Sequence, residues 1–318
     1  MKTAVQQMNQ YGRESRPFFF MIDYEMERPV VLAHEEISKV GIYFKIGQVC
    51  IRSNPPMRIP FEKIPIDFEH YQKAFRNLKY YLQRGDTYLA NLTFPAEIIT
   101  PLSLSEIYRR SYAPYKLLYK NEFVVFSPEC FIKIRNGHIG TYPMKGTIDA
   151  TLPDARRKIL SDEKEKAEHA TIVDLLRNDL SQVARKVKVD RFRYIEKLFT
   201  CGKNLLQVSS QISGILPSDF RQHIGEILGN MLPAGSVSGA PKIKTMTILR
   251  NVEGIIRGYY TGIFGYFDGE NLDSAVMIRF IERKNEHLYF RSGGGITAMS
   301  KVKKEYQELI DKIYVPII

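Results

Sequence analysis

The sequence predicts an α+β fold. Short strand-like runs follow one another across hairpin signals, notably Asn136-Gly137 and Asp268-Gly269. Helical periodicity interrupts these runs without the regular strand–helix alternation of a doubly wound sheet. With 318 residues, the chain is long enough to bury a sizeable core as one large domain or two.

Residues 17 to 52 alternate apolar and polar runs, Phe18 to Phe20, Val30 to Leu32 and Val40 to Phe44, and read as strands. Four prolines mark residues 53 to 67 as a connection. Tyr71, Phe75, Leu78 and Leu82 recur at helical spacing from Phe68 to Leu82, and Gly85-Asp86 ends that helix. Tyr88 to Phe94 is strand-like, Leu104 to Ser111 helical, and Phe123 to Ile134 again strand-like. A long helix is expected from Asp162 to Lys186, strands at Phe192 to Phe199 and Gln207 to Leu216, and helices at Phe220 to Leu232 and Lys242 to Val252. Strands at Tyr259 to Phe267, Ala275 to Glu282 and His287 to Ser292 precede a final helix from Lys301 to Tyr314. Residues 1–67 are expected to form a β-rich segment packed into the same globule as a catalytic domain of residues 68–318.

Charged (25%) and apolar (44%) fractions are those of a soluble globular protein. The polar N-terminus and the brief apolar run Phe18 to Ile22 form neither a signal peptide nor a membrane span. Cys50, Cys130 and Cys201 lie far apart without redox or metal spacing, so reduced thiols and a cytoplasmic location are expected. A net charge of +11 suits either nucleic acid or a small dianionic substrate. The basic residues are dispersed, and no zinc-finger or aromatic RNA-binding signature accompanies them.

Several stretches carry chemistry. Lys145 lies between Pro143 and Gly146, which read as the punctuation of a loop. Glu165 and Glu168 on one helix, and Glu305 and Glu308 on another, each share a helix face. They are either salt-laced solvent faces or a Mg²⁺ site between helices, Mg²⁺ being an oxygen-seeking cation. His169 suits the core or the surroundings of such a site better than Mg²⁺ ligation. The small residues from Gly235 to Lys242 resemble an anion cradle, and Gly293 to Gly295 is either a second one or a tight turn. Tyr260 and Arg279 are expected on neighbouring strands of a hairpin, Arg279 being able to grip a carboxylate bidentately.

Taken together, these stretches resemble the chorismate-utilising enzymes. The resemblance rests on Ser127-Pro128-Glu129, Pro143 to Thr147, Glu165 to Asp179, Gly235 to Lys242, Arg257 to Gly262, Ile278-Arg279 and Gly293 to Lys312. It covers roughly residues 70 to 318 and implies a large two-sheet α/β sandwich. It implies that Glu168 and Glu308 ligate Mg²⁺, with Glu165 and Glu305 behind them through water. Ser236, the Gly294-Gly295 backbone and Lys312 are implied to position the ring carboxylate of chorismate. Thr147, in the lysine motif, joins the implied substrate contacts. Tyr260 and Arg279 are implied to hold the enolpyruvyl carboxylate, and Glu129 to serve the departing hydroxyl as general acid/base.

Within that family, the residue at Lys145 separates branches. Anthranilate synthases carry alanine there; aminodeoxychorismate synthases carry lysine. The resemblance therefore implies amination of chorismate at C4 through a Lys145 adduct, on the way to 4-aminobenzoate and folate. The attacking amine is expected to be neutral, its pKa depressed by burial. Isochorismate-forming relatives carry a lysine base where this chain has Leu89, and anthranilate synthases a histidine where it has Gln207. No glutaminase elbow is recognisable, so ammonia is expected from a separate glutamine amidotransferase subunit.

Overall fold

Why the chain forms two stacked sheets is written most plainly in its first strand. In the computed structural model, which describes residues 1–47, 61–200 and 203–316, every residue of Phe18–Ile22 is buried. Phe18, Phe20 and Ile22 point into one apolar cluster, while Phe19 and Met21 point into another. Period-two alternation thus gives a strand two buried faces, as the middle layers of a sandwich require.

The elements run α1 (Lys2–Arg13), β1 (Phe18–Ile22), β2 (Val30–Ala33), a 3-10 segment (His34–Val40), β3 (Ile42–Ile46), β4 (Glu62–Ile64), α2 (Phe68–Gln83) and β5 (Leu89–Ile99). Then come α3 (Leu104–Arg110), β6 (Tyr115–Tyr119), β7 (Phe123–Ser127), β8 (Cys130–Arg135), β9 (His138–Thr141), β10 (Met144–Asp149), α4 (Ala155–Ser161) and α5 (Glu163–Ser181). β11 (Arg185–Thr200) and β12 (Lys203–Ile215) lead through a 3-10 turn to α6 (Ile224–Met231). A second 3-10 turn (Gly235–Val237), β13 (Gly239–Ala240), α7 (Lys242–Glu253), β14 (Ile263–Phe267), β15 (Leu272–Val276), β16 (Phe280–Lys284), β17 (His287–Thr297) and α8 (Val302–Asp311) complete the chain.

Sheet one has the order β10-β12-β9-β8-β15-β14-β1-β2, with β11 also on β12. Sheet two runs β13-β5-β17-β16-β7-β6-β3, with β4 on β5. The cluster around Phe19, Phe123, Phe264 and Phe280 draws on strands of both sheets. α1, α5 and α6 pack in the cluster with Phe18 and Phe20; α2, α7 and α8 pack on sheet two around Phe75 and Phe94. The α+β, two-sheet expectation is met.

Several local expectations are corrected. The polar N-terminus is a helix, α1, amphipathic enough to bury Ala4, Met8 and Tyr11. Lys145 lies on β10 instead of in a loop, because the chain pairs with β12 despite its proline and glycine. A register shift between Met144 and Thr147, with Gly146 at φ +80°, absorbs the irregularity. The long acidic helix stops at Ser181, and Arg185 already belongs to β11. The run Ala275 to Glu282 is split: β15 belongs to sheet one, β16 to sheet two, and Arg279 sits in the crossover at φ +53°. Part of the proline-rich connection forms β4; its residues 53–60, like Cys50 and Cys201, lie outside the described residues. Cys130 is a free, partly buried thiol. Among the described residues no helix is long and apolar enough to cross a membrane.

Candidate active site

β10 and α5 bring Lys145 to an acidic partner. The cap of α5 is Asp162, whose carboxylate accepts the backbone N–H of Glu165 and starts the helix there. One turn on, Glu168 is buried and accepts a hydrogen bond from Lys145 Nζ at 2.7 Å. A Cβ on Gly146 would stand 3.4 Å from Glu165 Oε2, so the first carboxylate of the pair also borders this strand. Burial pushes the Lys145 amine down. Glu168, with Glu165 and Glu308 behind it, outweighs that and holds the ammonium above its usual value. The expected depression is therefore reversed: the site is shielded but acidic, not apolar.

The glycine triplet forms the floor, and it is strand, not turn. Gly293, Gly294 and Gly295 pair with Thr93, Leu92 and Asn91 of β5. Pairing with β16 ends at Arg291, so the other edge of the glycines lies outside that ladder. Lys312 uses this edge, donating to Gly293 O at 3.0 Å while pairing with Glu308 at 2.8 Å. A Cβ on Gly295 would meet Lys145 Nζ at 3.1 Å, Leu89 Cδ1 at 3.2 Å and Glu168 Oε2 at 3.6 Å. One on Gly294 would stand 3.6 Å from both Glu308 Oε1 and Lys312 Nζ. Two ammonium–carboxylate pairs thus flank a floor kept open by missing side chains.

Glu129 closes the group. It lies between β7 and β8, partly buried, and accepts a hydrogen bond from the Ser236 hydroxyl. Burial raises its carboxyl above the usual range, against the opposing pull of Ser236, Lys145 and Lys312. Burial likewise lowers the Lys312 amine, and Lys145 and Arg279 add to that while Glu308 opposes it.

Not every expected residue joins this group. Thr147 is exposed and faces Gln207 in the β10–β12 ladder. Tyr260 precedes β14, buried edge-on against Phe280, and is not on a strand beside Arg279. Arg279 donates to Lys312 O and lies 4.6 Å from the Tyr314 ring centre, engaged by the C-terminal segment. Glu305 is buried, and with Glu308 it helps burial hold the Tyr71 phenol above its usual value. His169 is a neutral core histidine, lowered to about 4 by burial, with Nε2 2.6 Å from Ser210 Oγ. In the Gly235 to Lys242 segment, Lys242 pairs with buried Asp179 at 2.7 Å, so its charge is already engaged.

Among the described residues no three His, Cys, Asp or Glu side chains converge as a metal group. The donors available, Glu168 and Glu308 beside the open glycine floor, are all oxygen. That fits Mg²⁺ held by one or two carboxylates, with water and substrate completing its shell.

Sequence reasoning missed one buried group, Arg257 with Glu253. Their i,i+4 spacing was visible, but its burial was not, because Arg257 lies past the end of α7.

The model of the chorismate binding enzyme family matches residues 50–317. A Haemophilus influenzae protein named "Uncharacterized PabA-like protein" is 51% identical over 100% of this chain and 97% of its own length. Aminodeoxychorismate synthase component 1 of Escherichia coli is 31% identical over 92% of this chain, which spans 66% of that relative. The structure of anthranilate synthase component I from Streptococcus pneumoniae superposes with a TM-score of 0.68 at 28% identity, covering 82% of this chain and 60% of that one.

Proposed function

The chain belongs to the chorismate-binding enzyme family, and from that premise we propose that it aminates chorismate at C4, as the component I of an aminodeoxychorismate synthase. The observation that carries this reading is the position of Lys145 Nζ, directed over the Gly295 floor and shielded beside buried Glu168.

The residues then divide the work. Chorismate lies on the Gly293–Gly295 edge, its carboxylates facing Lys312 and Arg279. Glu168 and Glu308 would hold Mg²⁺, which would supply positive charge to the ring carboxylate. Lys145, as a neutral amine, forms a bond to C2. The ring double bonds shift, the C4–O bond breaks, and Glu129 gives its proton so that water leaves. Ammonia adds at C4, the double bonds shift back, and the Lys145 amine leaves C2. Atoms balance as chorismate plus ammonia giving 4-amino-4-deoxychorismate plus water. Lys145 must lose a proton to solvent before attack, because Glu168 keeps its amine charged in the unliganded site. Leu89, which like the Lys145 amine borders Gly295, has no proton-accepting atom and gives water no base there.

The test is a product assay with chorismate, Mg²⁺ and ammonia. 4-Amino-4-deoxychorismate is expected, and Lys145→Ala is expected to lower its formation roughly 10²-fold or more. With ammonia withheld, a chorismate-derived mass should be trapped on Lys145. Anthranilate formed directly would instead place the protein with the anthranilate synthases.

A further inference from the structure

Arg257 lies behind the glycine floor, bonded to the strand that pairs with it, and it touches both walls of the site. It is 3% exposed and forms an ion pair with Glu253, itself buried, at 2.6 Å. Its Nη1 donates to Val237 O at 2.8 Å and reaches Thr261 Oγ1 at 3.4 Å; its Nη2 also donates to Asn91 O. Its guanidinium lies 4.5 Å from the ring centre of Tyr24, just past β1. Glu253 in turn accepts the backbone N–H of Thr93. One buried ion pair therefore joins β5 of sheet two, the 3-10 turn bearing Ser236, and the Tyr260-Thr261 turn that feeds sheet one.

Val237 is the residue after Ser236. Its carbonyl is held by Arg257 and by Asn91 Nδ2 at 3.2 Å, while Ser238 Oγ bonds back to Ala234 O at 2.9 Å. The turn is fixed on both sides of Ser236, whose hydroxyl then lands on Glu129.

We propose that Arg257 is a positioning residue: by gripping the Val237 carbonyl from its ion pair with Glu253, it holds the Ser236 hydroxyl on Glu129 and so sets the proton affinity of that carboxyl. The proposal rests on the reading that Glu129 hands over the proton. A hydroxyl donating to a carboxylate stabilises the anion, so its removal makes the carboxyl hold its proton more tightly. The other charged groups facing Glu129 are Lys145 from β10 and Lys312 at the end of α8, with the Cys130 thiol adjacent. None of them is touched by the variants below. A lysine at 257 keeps the positive charge on Glu253 but cannot span Val237 O and Asn91 O at once, since only the guanidinium fork offers donors in that spread.

The experiment titrates Glu129 in the free full-length protein by ¹³C NMR of glutamate-labelled carboxyls, its signal assigned by its loss in Glu129→Gln. Ser236→Ala and Arg257→Lys are each expected to raise the midpoint by about half a unit to one unit. The double variant should go no higher than Ser236→Ala alone. A midpoint that stays at the wild-type value in Arg257→Lys, while Ser236→Ala moves it, overturns the proposal, as does a double shift equal to the sum. Should Arg257→Lys not fold, Glu253→Gln weakens the same grip and must move the midpoint upward; no movement overturns the idea. Because no substrate is present, the titration stands or falls separately from the product assay.

Discussion

Glu129 and Lys145 need opposite protonation states for the proposed reaction. Glu129 must carry a proton and Lys145 must not, although a carboxyl ordinarily titrates far below an amine. The productive fraction then rises with pH until Glu129 begins to ionise, stays level, and falls once Lys145 is fully neutral and only the loss of Glu129 protons remains. The lower break in kcat/KM for chorismate accordingly reports Glu129. Burial lifts that carboxyl, so the break is expected above the ordinary glutamate value of 4.5. Glu129→Gln should remove the break, leaving a rate that climbs with pH, and should lower the plateau by roughly 10²- to 10⁴-fold. A lower break that persists in Glu129→Gln assigns it to another group and removes Glu129 from the proton transfer.

Strand β6 shows how an element can carry a charge as a cost. Lys116 lies on β6, 9% exposed, donating to Ser111 O at 2.7 Å with the Tyr108 ring centre 4.7 Å away. Burial, aided by Lys45, lowers its amine from 10.5 to about 8. The unfolded chain therefore holds this proton more tightly than the folded one. The penalty is complete below about pH 8 and fades as pH rises towards 10.5, a span worth roughly 3 kcal/mol. In urea unfolding, wild type should gain stability relative to Lys116→Met across that window. At neutral pH the variant should be equal or more stable by about 0–2 kcal/mol, since Ser111 O loses its donor. Parallel stability curves would show that Lys116 is not strained by its burial. Elements of this kind mark where the sequence is legible. Periodicity places α2 and α7 within a residue or so, because a buried face repeats along a helix whatever it packs against. It cannot say which sheet a strand joins, so Ala275 to Glu282 reads as one strand although the chain changes sheets at Arg279. Local punctuation likewise misleads at Pro143 and Gly146, where pairing with β12 overrides it. The site's chemistry-bearing residue types are visible in the chain, but their pairings are not. Lys145 meets Glu168 from 23 residues away and Ser236 meets Glu129 from 107, separations that only the stacked sheets close.

At the scale of the whole molecule, the chain carries an excess of positive charge. The formal net charge is +11, while two of the site's carboxylates are met by their own ammonium partners, Lys145 on Glu168 and Lys312 on Glu308. A dianion such as chorismate is drawn to such a field, and ammonia, the second proposed reactant, is neutral and is not. Salt screens the first attraction over a distance of about 10 Å at 0.1 M, so the two substrates should separate in one experiment. Raising sodium chloride from about 20 to about 200 mM at saturating Mg²⁺ should raise the KM for chorismate several-fold and leave the KM for ammonia nearly unchanged. Free ammonia should support turnover and glutamine alone should not, until an amidotransferase subunit is added. A chorismate KM indifferent to salt would mean that the basic surface serves something other than this substrate. Equal salt responses for both substrates would point to a change in the protein itself, because screening cannot act on a neutral reactant.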